Sequence, residues 1–403
     1  MSTQVRVAFD LSLAGAGNYF TIGDTPLGGT ATPGALPLAG DVLTDVTDYV
    51  RSVSIRRGRS KFTDRFDSGQ ASFVLDNRTR LFDPSAGTAV SPYGPSMLPR
   101  KAVDITTDGQ LRFTGQVEDF NLEYSLGGDS TTTFTCSDGF ALLARRVLTE
   151  GTATAQLSGA RVNAVLDDPN VDWPSARRSI DAGQTTLGAN VVSANTDVLG
   201  YLATVQASEP GAVFINKAGQ VEFRDRAALQ TPSGVVFADD GSGVPFRAIS
   251  REVGTELLYT QVTIPYVGGT ATATNTSALT DYGLSELNQQ TFMASGTDAQ
   301  DLADYWSGLY AAPTDRISGL EVMVTSLSAT HKGQVLSLEI GDVVTVRFTP
   351  NGIGAAIEQD LGIESIEDEI TPESHVVRFN LSKRTTNVFI IGYTNLGEGV
   401  LGF

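Results

Sequence analysis

Two histidines, one cysteine and 46 acidic side chains are what this 403-residue chain offers for chemistry. His331 sits in the turn-like Thr330-His331-Lys332-Gly333, and His375 opens a strand-like stretch. Neither has the HExxH context or the ligand spacing of a metal site. No G-x-S-x-G nucleophile elbow and no Walker-type phosphate loop is present, and Gly15-Ala16-Gly17 does not join a strand to a helix. Glycoside hydrolysis needs only two carboxylates, and Glu364, Glu367, Asp368 and Glu369 cluster late in the chain. Strand alternation puts Glu367 and Glu369 on one face and Asp368 on the other, which reads as a solvated strand end. Asp239-Asp240-Gly241-Ser242-Gly243 lacks the spaced oxygen ligands and closing Glu of an EF-hand and reads as a turn. Cys136 lies in an alternating run, Thr133-Phe134-Thr135-Cys136, as a small buried side chain rather than a reactive thiol. The expectation is no catalytic residue, no metal and no cofactor: not an enzyme.

Two other clusters stand out. Arg56, Arg57, Arg59 and Lys61, with Arg65 nearby, form a basic run in an acidic chain. A DNA-binding stripe and a solvated loop are both open readings. The favoured one is a contact with an acidic surface on a neighbouring subunit, where Arg is the better interface residue. Near the C-terminus, Phe389, Ile390 and Ile391 centre an apolar patch that either buries in its own domain or docks on a partner subunit.

Lys and Arg number 28 against 46 Asp and Glu, a formal charge of −18. A nucleic-acid binder needs basic surface to displace counterions, so sequence-specific nucleic-acid binding is not expected. An acidic wall is still compatible with a channel through which DNA slides. Charged residues make up 18%, low against about 25% for an average soluble domain, which is compatible with contacts to other protein. There is no signal-peptide pattern and no apolar run of membrane-spanning length. With a single cysteine there is no disulfide framework, so the chain reads as one made and folded in a reducing cytosol, without membrane insertion.

The elements that would carry these residues fall into four regions. Residues 1–148 begin with a short strand at Val5–Phe9 and a Gly/Pro/Thr-rich loop at 23–40. Alternating strands follow at Arg51–Ile55, Gln70–Leu75, Val103/Ile105, Leu111/Phe113, Gly115–Tyr124 and Thr131–Thr135, an antiparallel meander that closes as a barrel or sandwich. Residues 149–232 read as a small α+β unit. It has a helix capped at Ser158, a second capped at Thr196, and a hairpin from Ala212–Ile215 to Gln220–Arg224. Residues 233–318 read as a second α+β unit. Its strands lie near 248–250 and 257–265, its loop at 268–277, and its helix opens on a capping box, Thr297 with Gln300. Residues 319–403 return to strands at 320–327, 335–339, 343–348, 361–367 and 375–381, a second small barrel or sandwich ending in the apolar tail. The fold class is mainly β with α+β inserts.

The segment Val53–Pro84 carries Arg56-Arg57-Gly58-Arg59, Ser68-Gly69-Gln70-Ala71-Ser72-Phe73 and Leu75-Asp76-Asn77-Arg78 followed by Phe82-Asp83-Pro84. It resembles minor tail proteins of long-tailed, siphovirus-type bacteriophages, especially those of actinobacteria. Phe113-Thr114-Gly115-Gln116-Val117, Cys136-Ser137-Asp138-Gly139-Phe140 and Gly219–Arg226 are similar to the same proteins. The resemblance implies a structural protein of the virion, made in the bacterial host cytoplasm and placed in the tail tip. It implies a baseplate hub: two β-barrels flanking two small mixed domains, assembled as a homotrimer. Three copies then give a pseudo-sixfold ring around the channel for DNA and tape-measure protein. The partners implied are copies of the chain itself, the distal tail protein, the tape measure and further tip or fibre proteins. The alternative is a tail-tip adaptor or carbohydrate-binding receptor protein, with Tyr19 and Phe20 as exposed-aromatic candidates. Some hub proteins add a wall-cleaving domain; none is expected within this chain.

Overall fold

The computed structural model describes residues 3–9, 43–62, 64–255, 257–313 and 315–384, and the backbone at 388–389 and 400–401. Tyr19, Phe20 and the loop expected at 23–40 lie outside the described residues.

Alternating apolar residues in the first region build strands β1 (Thr3–Val7), β2 (Thr44–Asp45), β3 (Val50–Gly58), β4 (Gln70–Asp76), β5 (Ala102–Thr107), β6 (Gln110–Tyr124) and β7 (Ser130–Ser137). On β4 the inward set is Ala71, Phe73 and Leu75, all buried while the intervening residues are not. This is the period-two pattern of a half-buried strand. Phe73 stacks on Phe134 of β7, with ring centroids 4.9 Å apart. The two runs expected around 111–124 are one 15-residue strand, β6.

The middle of the chain forms α1 (Ser158–Leu166), α2 (Val198–Ser208), the hairpin β8 (Ala212–Ile215) and β9 (Val221–Arg224), then β10 (Pro232–Ala238) and β11 (Ala248–Val253). After these come β12 (Gln261–Tyr266), β13 (Gly269–Thr274) and α3 (Gly296–Leu309). The last region has β14 (Asp315–Met323), α4 (Ala329–Ser337), β15 (Val343–Phe348), β16 (Ile357–Ile370) and β17 (His375–Lys383).

Several local expectations are corrected. Residues 335–339 are not a strand: Ser328 caps α4 by accepting from the His331 N–H at 3.2 Å, and Val335 and Leu336 are its buried face. His331 therefore lies in a helix, not a turn. Residues 268–277 are largely a strand, β13, in which alternate Ala271 and Ala273 are small enough to pack under α3. The helix caps are Asp197, one residue after the expected Thr196, and Ser295, two residues before the expected Thr297, and Ser158 is a buried first residue rather than a cap.

Thirteen strands form one sheet, in the order β11-β14-β17-β16-β3-β4-β7-β6-β5-β1-β2, with β15 on the free side of β16 and β10 on β15. The first and last regions are therefore joined edge to edge: β3 pairs antiparallel with the end of β16, from Gly58 opposite Ser365 to Val53 opposite Ile370. Three hydrophobic cores lie against this frame. One fills the first region and takes Ile370 from the last. A second is shared by the last region and the first α+β unit. The third belongs to β12, β13 and α3.

The two β regions repeat one strand order. The first runs β1-β5-β6-β7-β4-β3, the last β10-β15-β16-β17-β14-β11. Four of the five neighbour pairs are antiparallel in both; β1–β5 is antiparallel and β10–β15 parallel.

Candidate assembly surface

The basic run lies at the join between the two β regions, and strand alternation sorts it. Arg56 points outward and is 3.3 Å from Glu367 across the join. Arg57 points inward and is buried, donating to Glu339 Oε1 at 2.8 Å. Glu339 also accepts from the backbone N–H groups of Lys217 and Ile340, at 2.9 Å each. Arg59, just past the end of β3, is buried as well. It donates from Nε to Glu364 at 2.7 Å and from Nη1 to the Asp64 carbonyl at 3.2 Å. Glu364 further accepts from Arg384 at 2.7 Å and from Ser382 Oγ. Burial pushes the Glu364 carboxyl up, but the Arg59 and Arg384 guanidinium groups outweigh it and hold the group below the ordinary carboxylate range.

Arg57 and Arg59, expected at a subunit interface, are thus placed inside the chain, because the acidic surface they meet is the chain's own last region. Arg56 and Arg65 are exposed and Lys61 is half-buried. Of the apolar tail, Val388–Phe389 pairs in parallel with Val400–Leu401. The Phe389 side chain and residues Ile390 and Ile391 lie outside the described residues.

The β3–β4 loop that carries Lys61 and Arg65 fastens three units together. The Phe62 ring meets Trp306 of α3 at 5.0 Å, and Phe66 meets Phe214 of β8 at 5.6 Å. The Arg59 guanidinium lies 4.8 Å from the Phe62 centroid and 4.3 Å from that of Phe66, within cation–π range. The loop returns into β4 through Asp138, which accepts from Gly69 N–H at 2.7 Å and Ser68 Oγ at 2.9 Å.

The late carboxylates are not a solvated strand end. They lie in the second half of β16, paired on both sides by β3 and β17, where Asp368 is buried and takes two bonds from Arg112 of β6 and one contact from His375 Nε2 at 2.7 Å. Burial raises the Asp368 carboxyl; Arg112 and His375 more than offset it and bring it down to about 2. Glu367 and Glu369 face out, as the alternation requires. His375 is fully buried in this cluster, and Cys136 is buried in the first core, where burial pushes its thiol up. Among the described residues no group of three His, Cys, Asp or Glu side chains is placed to hold a metal ion. Asp240 closes its own turn by accepting from Ser242 N–H at 2.9 Å.

Two of the open strand edges among the described residues lie on the large sheet and carry exposed apolar side chains. One is the outer edge of β11. The other is the far half of β6, Glu118–Tyr124, where β5 has ended and only β7 pairs. Each carries an exposed apolar side chain: Val253 is 69% and Tyr124 54% exposed. The sequence reading missed both, because strand pairing decides which edges stay open.

The described architecture is that of a tail-protein fold: a mainly β frame with α+β inserts. It resembles the 43 kDa tail protein of prophage MuSo2 from Shewanella oneidensis (TM-score 0.56, 15% identity, 85% of this chain and 96% of that one). It also resembles the tail protein from Neisseria meningitidis MC58 (TM-score 0.61, 11% identity, 94% and 96%). At such identities the likeness is one of fold. No family model matches the sequence, and no curated protein does.

Proposed function

We propose that this chain is a structural, non-enzymatic component of a bacteriophage tail, and within it a hub at the tail tip. Three copies form a ring that joins the tail tube to the distal tip around the channel for DNA and tape-measure protein. The observation that carries the reading is the repeated strand order: each chain holds two β units of one design, already joined edge to edge. Three such chains present six similar units to a sixfold tube. The fold likeness to two tail proteins supports the same reading. A formal charge of −18 suits a wall along which DNA must slide without sticking. Arg56, Lys61 and Arg65 remain the candidate contacts from the basic run. The tail from Phe389 is the candidate apolar contact to a neighbouring tail protein.

The test is native mass spectrometry of the purified chain together with electron microscopy of intact tails in which it has been located. A threefold ring on the tail axis is the expected result. A chain monomeric both in solution and in the tail overturns the reading.

A further inference from the structure

The two β units correspond residue by residue at the place where they join. β6 and β16 each contain one extra residue, between Val117 and Asp119 and between Ile363 and Ser365. In both strands that residue is a glutamate, Glu118 and Glu364. Each accepts from the serine at the same place in the following strand, Ser137 Oγ at 2.6 Å and Ser382 Oγ. From these bulges, which pin register, the rows run across four strands. Asp119-Thr135-Ser72-Ser54 in the first unit matches Ser365-Asn380-Gly319-Ser250 in the last. β3 thus corresponds to β11, and their sequences follow suit: Arg51-Ser52-Val53-Ser54-Ile55-Arg56-Arg57-Gly58 against Arg247-Ala248-Ile249-Ser250-Arg251-Glu252-Val253-Gly254.

Within one chain, β3 covers the end of β16. The counterpart of that covered segment is Asp119–Tyr124 of β6, and the counterpart of the covering strand is β11. Both are open edges. The geometry points to β11 of one copy pairing antiparallel with the far half of β6 of the next, in the register of the join inside the chain. Gly254 then faces Asp119, Val253 faces Phe120, Glu252 faces Asn121, Arg251 faces Leu122, Ser250 faces Glu123 and Ile249 faces Tyr124.

The chemistry fits. Exposed Val253 meets Phe120 and exposed Tyr124 meets Ile249 on one face, cross-strand pairs that stabilise sheets. Both open edges, otherwise templates for uncontrolled pairing, are closed at once. The contact is heterologous, because each copy gives one edge and receives on another; such a contact closes a ring when its rotation permits. This inference rests on the ring reading above and names the surfaces that make the ring.

Cysteines placed in the full chain test it. Asn121→Cys with Glu252→Cys are directly opposed across the proposed contact, at a Cα separation of about 4.5–5.5 Å that a disulfide spans. Asn121→Cys with Ser250→Cys are two residues out of register, at about 7–8 Å. Under oxidation the first pair is expected to link chains into a covalent ladder on a non-reducing gel, and the second is expected not to. Val253→Asp is expected to weaken self-association at least tenfold by sedimentation while leaving the urea midpoint unchanged. A trimer that fails to link in register, or links equally in both, overturns the pairing and leaves the ring standing. A chain monomeric at every concentration and in the tail overturns both.

Discussion

Arg112 of β6 and Asp368 of β16 form a two-bond ion pair at 3.1 and 3.0 Å, wholly buried, although they lie 256 residues apart. Arg112 also donates to the Leu336 carbonyl at 2.9 Å, so one side chain ties the first β unit to the last through both β16 and α4. Removing one partner of such a pair leaves a buried charge without its counter-charge, at about 3–5 kcal/mol. Arg112→Met is expected to lose about that much stability in urea unfolding. A loss under about 1 kcal/mol would show that the pair does not hold the two units together.

The same carboxyl makes stability depend on acid. Asp368 titrates at about 2 in the folded chain and near 3.9 when unfolded. Its folded value is depressed, so its contribution is full above the unfolded value and is lost as pH falls toward the folded one. The stabilisation is about 2–3 kcal/mol at pH 7 and about half that at pH 3. Asp368→Asn mimics the protonated state. The stability gap between wild type and this variant is expected to be about 1 kcal/mol narrower at pH 3 than at pH 7. A gap that is constant or widens in acid contradicts the assignment.

Neighbouring arginines of the basic run differ sharply in weight. Arg56 is 64% exposed by side chain in its pair with Glu367, and Arg59 is 1% exposed on Glu364. Arg56→Ala is expected to cost under about 1 kcal/mol, and Arg59→Met about 3–5 kcal/mol. Parallel urea titrations decide it; equal costs would mean the burial difference does not govern.

Gly58 sets the join between the two β units. Its φ is +111°, and a Cβ there would meet the Glu364 carbonyl oxygen at 2.2 Å. Gly58→Ala therefore meets both strain and a backbone clash, and is expected to destabilise by on the order of 3 kcal/mol. A melting temperature within a degree of wild type would refute the close approach.

Cys136 is 1% exposed in the first core, opposite Ala71 and Val117 on the neighbouring strands. Its thiol is expected to stay unreactive toward a disulfide reagent in the native protein and to react stoichiometrically in denaturant. Rapid labelling without denaturant would place it elsewhere.

Single strands were legible because their signal is local. The alternation through Ala71, Phe73 and Leu75 survives intact as β4. Helix starts slipped by a residue or two, since Asp197 and Ser295 sit beside equally good caps at Thr196 and Thr297. Val335 and Leu336 misled because two adjacent apolar residues followed by Leu338 and Ile340 mimic alternation where a helix ends and an extended segment begins. What no local pattern carries is pairing between distant strands. That Arg57 meets Glu339 and Arg59 meets Glu364, rather than another subunit, depends on partners about 300 positions away. One long-range signal was present and unread: Arg51–Gly58 is echoed by Arg247–Gly254.

The join of β3 to β16 also constrains how the chain comes into being. β3 leaves the ribosome about 300 residues ahead of β16, the strand that covers its second edge. At roughly 5–20 residues per second, the edge of β3 and the guanidinium groups of Arg57 and Arg59 wait many seconds without their carboxylates. Early release or a truncated message would strand those charges on an open edge. The nascent first unit is then the stage at which a chaperone has most to gain by covering it.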